Sequence, residues 1–312
     1  MLRRTMIVIA AVTATIPLIL GNASADPLPV PYSLAAMVSA SVTTAPPGAP
    51  PGANNWDCVP SAAHPRPVVL VHGLSGNGEN SWQTFAPLLA NEGYCVFALT
   101  YGVYPTDRGI AAGIGGRAPI DESSSELEQF VDRVRAATGT ERVDLLSWSE
   151  GTLVSAGYLQ FRGGATAVGQ SINLAPIWNG TAITDPLDSP LSILGVPGDV
   201  YQALDPTCAA CADLRTGSDF IDRLQASGVY APNVHYTNIV TTTDIQVQPY
   251  TSGVRPAPNA TNIVLQDICP VNRAGHLSVS VDPTVTALAL HALDPGTPRQ
   301  IPCAPSQAPP GV

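Results

Sequence analysis

Apolar positions along this chain fall into two rhythms between residues 65 and 294. Pro67–His72 and Tyr94–Leu99 are continuous apolar runs, the pattern of strands buried on both faces of a parallel sheet. From Asp121 to Thr138 the period changes: Leu127, Phe130, Val131 and Val134 recur at helical spacing, behind an acidic start and ahead of Gly139. Arg142–Leu146 predicts a third strand. A helix follows from Glu150 to about Arg162, stopped by Gly163 and Gly164. Further strands are expected at Ser171–Leu174, Val234–Val240 and Asn262–Leu265, and a last helix over Pro283–Leu293. This β–α alternation predicts an α/β fold, with a mainly parallel, doubly wound sheet and helices on both faces.

The segments outside that rhythm read differently. Residues 26–64 are rich in Pro, Ala, Ser and Thr and predict an arm or linker that buries little; residues 295–312 form a tail of the same character. Residues 176–232 form a long, loop-rich excursion after a strand end, where open α/β sheets bind ligands. They are expected to act as a cap or lid. Gly102–Pro119, rich in glycine, is a second segment expected at the rim of the cleft.

Composition narrows the partners. The 14 basic residues are all Arg and stand against 24 acidic ones, for a net charge of −10. Binding to nucleic acid or to an anionic lipid surface needs clustered positive charge, so a neutral substrate fits better. Arg3 and Arg4, the apolar run from Met6 to about Leu20 and Ala23-Ser24-Ala25 have the form of a signal peptide over residues 1–25. Cleavage after Ala25 and a secreted mature chain, with no transmembrane segment, are the expectation. Six cysteines in an exported chain imply disulfides, and six allow 15 pairings. Locality favours Cys58 with Cys95, Cys208 with Cys211 and Cys269 with Cys303. A metal or redox role for Cys208-Ala-Ala-Cys211 would need a second ligand pair or a thioredoxin-like setting, and the sequence has neither.

The chemistry concentrates at Leu145-Leu-Ser-Trp-Ser-Glu-Gly-Thr152, between an expected strand and an expected helix. A nucleophile elbow, G-x-S-x-G, needs small flanking residues because the turn brings backbones together; here Ser147 stands at the first glycine position and Gly151 at the second. Ser149 is the expected nucleophile. Upstream, His72-Gly73-Leu74 closes the first strand, so the amides of Leu74 and Glu150 are the expected oxyanion donors, each worth about 3–4 kcal/mol to a transition state. His72 itself is expected to shape that loop. In this elbow fold an acid and then a histidine follow the serine. Of the later histidines, His235 falls inside a strand and His291 ends an apolar helix, whereas His276 lies in a loop after the last strand and is the expected base. Asp244, leaving the carboxyl end of a strand, is the expected acid, with Asp267 as the alternative and Asp199 and Asp205 placed in the lid. Such a set hydrolyses esters through an acyl-enzyme and requires no cofactor or metal.

The chain resembles the bacterial secreted class 2 triacylglycerol lipases of the α/β-hydrolase superfamily over about residues 56–294. The resemblance rests on Trp56–Ser61, His64–Gly73, Trp82-Gln83, Pro87–Ala90, Gly93–Ala98, the elbow, Thr241–Tyr250 and Leu265–Pro270 before His276. It implies an α/β-hydrolase catalytic domain over 65–294, a secreted lipase or carboxylesterase of lipid catabolism, and the triad Ser149, Asp244, His276. It also implies the oxyanion amides of Leu74 and Glu150 and a Cys208–Cys211 bridge. The family pattern has Gly-His before the nucleophile where this chain has Ser147 and Trp148, so Trp148 is expected either to line the acyl pocket or to pack beneath the elbow. The same triad would serve a polyester hydrolase or an acyltransferase, and the fold alone would serve a binding protein.

Overall fold

Alternate residues of each central strand point to opposite sides of a parallel sheet, and the helices divide accordingly. The computed structural model describes residues 26–43, 48–181 and 208–306. The expected signal peptide, 1–25, lies outside them, as do the central part of the expected lid, 182–207, and the last residues, 307–312. Six parallel strands, β1 (Val68–Val71), β2 (Val96–Ala98), β3 (Val143–Trp148), β4 (Val168–Leu174), β5 (His235–Val240) and β6 (Ala260–Val264), stand in the order β2-β1-β3-β4-β5-β6. From β1 the chain moves one way to β2 and then crosses to the other side for β3. The switch point of this α/β-hydrolase fold therefore lies between β1 and β3, and ligands of open α/β sheets bind beyond the strand ends at such a point.

Three short connecting helices, α1 (Leu34–Thr43), α5 (Ala209–Asp213) and α7 (Leu265–Ile268), supplement the layers that make the core. Val69, Val71 and Leu145 join Leu127, Val131 and Val134 of α3 (Ile120–Thr138) and Leu153 and Val154 of α4 (Glu150–Phe161) in one buried cluster. Val68, Leu70 and Leu146 face the other way, onto Phe85 and Leu89 of α2 (Phe85–Asn91) and Val285, Leu288 and Ala289 of α8 (Pro283–Leu293). Apolar residues on both faces explain why β1 reads as a continuous run rather than an alternating one. The expected elements are all present, displaced by a few residues at most. Strand β4 starts earlier than Ser171 because Val168 pairs with Val143 before the register shifts. Gly139, with φ 68°, ends α3 in the left-handed conformation that glycine adopts without a steric cost. Asp282 begins α8, its Oδ1 accepting from the amides of Thr284 at 2.8 Å and Val285 at 3.1 Å.

Two segments outside the strand–helix rhythm take positions on the domain. The described residues of 26–64 pack along one edge of the sheet. Leu34–Thr43 is helical, with Met37 buried; Thr84 Oγ1 donates to the Pro31 carbonyl. Ala53 bridges to Val96, and Asn54 makes three hydrogen bonds to Val96 and Ala98, so this stretch covers the outer edge of β2. Trp56 packs on Phe97 at 4.9 Å between ring centroids, and Cys58 is bonded to Cys95. The Pro-rich composition predicts low burial, but edge pairing and one aromatic ring fasten the segment to the domain. In the lid segment, the described helix α6 (Asp219–Ser227) packs against α4 through Phe220 and Phe161, on the flank of the sheet. The cap role turns on 182–207, outside the described residues. The three disulfides are those that locality favours: Cys58–Cys95, Cys208–Cys211 and Cys269–Cys303.

Candidate active site

Ser149 closes β3 and opens α4 with φ 55° and ψ −125°, a conformation that costs a non-glycine residue about 1–3 kcal/mol. The surroundings hold it there. Its amide donates to the Leu174 carbonyl at 2.9 Å, and its carbonyl accepts from the Thr152 amide at 2.9 Å and the Thr152 hydroxyl at 2.6 Å. A Cβ on Gly151 would stand 2.3 Å from the Val71 carbonyl oxygen and 2.4 Å from that of His72, so β1 crosses the start of α4 where only glycine fits. Ser147, at the family's first glycine position, is accommodated because its hydroxyl pairs with that of Ser155 one helical face away, at 2.7 Å.

The strand ends bring the three expected side chains together. His276 Nε2 lies 2.7 Å from Ser149 Oγ, and His276 Nδ1 lies 2.8 Å from Asp244 Oδ2. Asp244 Oδ1 accepts from the amides of Gln246 and Val247, each at 2.8 Å, which fixes the carboxylate and leaves Oδ2 for the imidazole. All three are buried, Ser149 the least at 7% exposure. In this arrangement Nδ1–H donates to the carboxylate, and Nε2 is free to accept the serine proton. The alternatives separate clearly. Asp267 is exposed on α7; His235 and His291 are exposed and line a cleft at the amino end of the sheet with Arg66 and Arg142, away from Ser149. Asp199 and Asp205 lie outside the described residues.

The oxyanion expectation has a consistent setting. Glu150 is the first residue of α4, so its amide has no partner within the helix and sits at the positive end of the helix dipole. Gly73 and Leu74 follow β1 beside the elbow: a Cβ on Gly73 would meet Ser149 Cβ at 3.1 Å. The Leu74 amide donates to no backbone carbonyl among the described residues. The expected rim segment does reach this loop, since Ser75 N donates to Gly115 O at 3.1 Å and Gly115 N to Gly76 O at 2.8 Å. His72 shapes the loop. It is fully buried and stacked on Tyr101 at 4.1 Å, with Nδ1 2.8 Å from the Gly73 carbonyl and Nε2 accepting from the Tyr101 amide. Burial lowers its pKa to about 4, so at neutral pH it is an uncharged donor through Nδ1.

Three contacts that sequence spacing does not signal support the base. Trp148 Nε1 donates to the His276 carbonyl at 3.0 Å, and its ring lies 5.9 Å from the imidazole. Thr241 and Thr243 both donate to the Ala274 carbonyl, at 2.6 and 2.8 Å, joining the acid loop to the base loop. Asn272 donates to both carboxylate oxygens of Asp282 at 3.0 Å, and its own oxygen accepts from the Ala274 amide at 2.8 Å. The Thr241-Thr-Thr and Asn272-Arg-Ala strings are the only sequence traces of this network.

Among solved structures the chain is similar to Aspergillus fumigatus lipase B, with a TM-score of 0.59 at 20% identity over 78% of this chain and 55% of that one. It thus spans about half the length of that lipase. It is also similar to a hydrolase from Oleispira antarctica, with a TM-score of 0.52 at 14% identity over 75% of this chain and 92% of that one. A third likeness is to the mature form of Bacillus licheniformis lipase BlEst2, with a TM-score of 0.51 at 18% identity over 75% of this chain and 94% of that one. No curated protein matches the sequence. A family model for class 2 lipases matches residues 65–288, most of the chain, and the chain belongs to the class 2 lipase family of α/β-hydrolases.

Proposed function

We propose that this protein is a secreted serine carboxylic-ester hydrolase that cleaves neutral acylglycerols or related lipid esters through an acyl-enzyme. His276 takes the proton of Ser149 as Oγ attacks the ester carbonyl. The C–O π pair moves onto the carbonyl oxygen, and the amides of Leu74 and Glu150 receive that charge. Collapse expels the alcohol, which takes the proton from His276, and leaves the acyl group on Ser149. Water, deprotonated by His276, then releases the acid and restores the serine. Asp244 keeps the proton of His276 on Nδ1 throughout. The observation that carries the reading is the continuous Ser149–His276–Asp244 chain at 2.7 and 2.8 Å, with the serine at a strained elbow.

A lipid substrate is supported by the family and by what surrounds the site. Ile245 follows Asp244, and Ile268, the last residue of α7, and Val271 precede His276; these apolar side chains are 53%, 47% and 52% exposed. Secretion is supported by the leader-like residues 1–25 and three disulfides; no helix among the described residues is long and apolar enough to cross a membrane. The test compares wild type with Ser149→Ala on p-nitrophenyl butyrate. The variant is expected to lose activity by about 10⁴-fold or more, and equal turnover by the two would remove the hydrolase reading. Rates measured below and above the solubility limit of a triglyceride series would then distinguish interfacial from soluble substrates.

A further inference from the structure

The residue after the nucleophile carries a side chain that the mechanism above does not use. Glu150 is fully buried, and among the described residues neither of its carboxylate oxygens has a hydrogen-bond partner. It packs against the rim segment: a Cβ on Gly116 would stand 2.6 Å from Glu150 Oε2 and 3.1 Å from Leu74 Cα. The carboxyl group therefore fills the space between the start of α4 and the loop that carries the Leu74 amide. That loop is tied to the rim by the Ser75–Gly115–Gly76 backbone bonds and by Asn77 Nδ2, which donates to the Gly113 carbonyl at 2.8 Å, while His72 Nδ1 lies 2.8 Å from the Gly73 carbonyl.

Among the described residues no cation answers a charge at this point. From the end of β1 comes His72, neutral at ordinary pH because burial holds its pKa at about 4. From the rim comes the Tyr101 hydroxyl, committed as a donor to the His72 carbonyl at 2.6 Å. Arg117, next to Gly116, turns its guanidinium to Asp107 and to the Ile114 carbonyl. Glu126 of α3, which accepts from the Gly102 amide, and Asp213 of α5 add only negative charge on this side.

We propose, building on the serine-hydrolase reading, that Glu150 is a positioning residue that works only in its neutral form, its protonated carboxyl spacing the two oxyanion amides and its ionisation switching ester hydrolysis off. Burial, and secondarily the Asp213 carboxylate, push its pKa well above the usual carboxylate range. Loss of that proton puts an uncompensated negative charge in a dry site behind the amides that must stabilise a developing oxyanion. The same charge, having no partner, drives the rim loop away from α4. Both effects oppose turnover, and both vanish when the group cannot ionise. A glutamine has the same shape and no proton to lose.

The experiment uses the full mature chain and p-nitrophenyl butyrate, with kcat and kcat/KM followed from neutral to alkaline pH for wild type, Glu150→Gln and Ser149→Ala. Wild type is expected to lose kcat by about tenfold or more along an alkaline limb, and Glu150→Gln is expected to lack that limb. Thermal unfolding gives an independent reading. An acid whose folded pKa is raised binds more protons folded than unfolded between the two pKa values, so wild-type stability falls as pH rises through that window. The stability advantage of Glu150→Gln over wild type should therefore grow with pH. A space-filling role alone would move neither profile. If the glutamine variant is not recovered folded, Glu150→Met, of similar shape and without charge, is judged by the same two profiles. Superimposable pH profiles with Ser149→Ala inactive would overturn the Glu150 assignment alone. Full activity in Ser149→Ala would overturn the hydrolase reading beneath it.

Discussion

At the elbow, Ser149 is held by backbone: a positive φ, three hydrogen bonds through its own amide and carbonyl, and a crossing with β1 that leaves Gly151 no room for a methyl group. Across the site, the loops that carry Asp244 and His276 are held to one another largely by side chains, in a network of Trp148, Thr241, Thr243 and Asn272 that reaches Asp282 at the start of α8. The difference suits the proposed roles. As nucleophile, Ser149 would have to stay at one point above the sheet, and close-packed backbone has one low-energy arrangement. As base, His276 would have to receive a proton and hand it on, and a loop tied by several separate hydrogen bonds tolerates small adjustments. The comparison also predicts how each half fails: the elbow by steric collapse, the network by degrees.

The largest effect expected among substitutions that break the comparison is at Asp244. Asp244→Asn keeps the shape but replaces the acceptor facing His276 Nδ1, which favours the wrong tautomer, so kcat should fall by about 10⁴-fold. A kcat within tenfold of wild type would place the acid elsewhere. Gly151→Ala comes next and should act on the fold itself. The added carbon meets two backbone oxygens of β1, not a movable side chain. A loss of about 3 kcal/mol or more, read as a drop in Tm of roughly 6–12 °C, is expected. An unchanged Tm would mean that β1 and α4 separate more easily than their packing implies. Trp148→Phe is the mildest. It removes one donor to the His276 carbonyl while keeping most of the ring, so it should cost about 1 kcal/mol of stability. Activity should fall by about three- to tenfold, mainly in kcat, as the imidazole loses part of its anchor. If the variant instead changed only the preference among acyl lengths, Trp148 would be a wall of the substrate site and not a support for the base.

Most of the proposed site was legible in the residues. Among the described residues the apolar rhythms locate the strands and the long helices α3, α4 and α8, most plainly β1 and β3, because parallel strands buried on both faces leave continuous runs. The elbow was readable through its strand–turn–helix setting despite Ser147. His276 stood out as the histidine in a loop after the last strand, and Asp244 as the acid at a strand's carboxyl end. What stayed hidden depends on distant partners. Trp148 and His276 are 128 residues apart, and no spacing rule links an indole to that carbonyl. Asn54 reaches Val96 and Ala98 from a segment whose prolines suggest a free arm, and edge pairing is a property of the folded sheet. Glu150 is a polar residue at a helix start, where exposure is the ordinary expectation; its burial follows from the rim loop that folds over it.

The central claim is that one hydroxyl, lifted by the elbow and deprotonated by His276, is the attacking group. Labelling the mature protein with a fluorophosphonate and mapping the adduct by peptide mass spectrometry tests it most directly. A single phosphonylated site at Ser149, formed at least about 100-fold more slowly in His276→Ala, is the predicted result. An adduct on another residue, or labelling of Ser149 at the same rate without the imidazole, would contradict it.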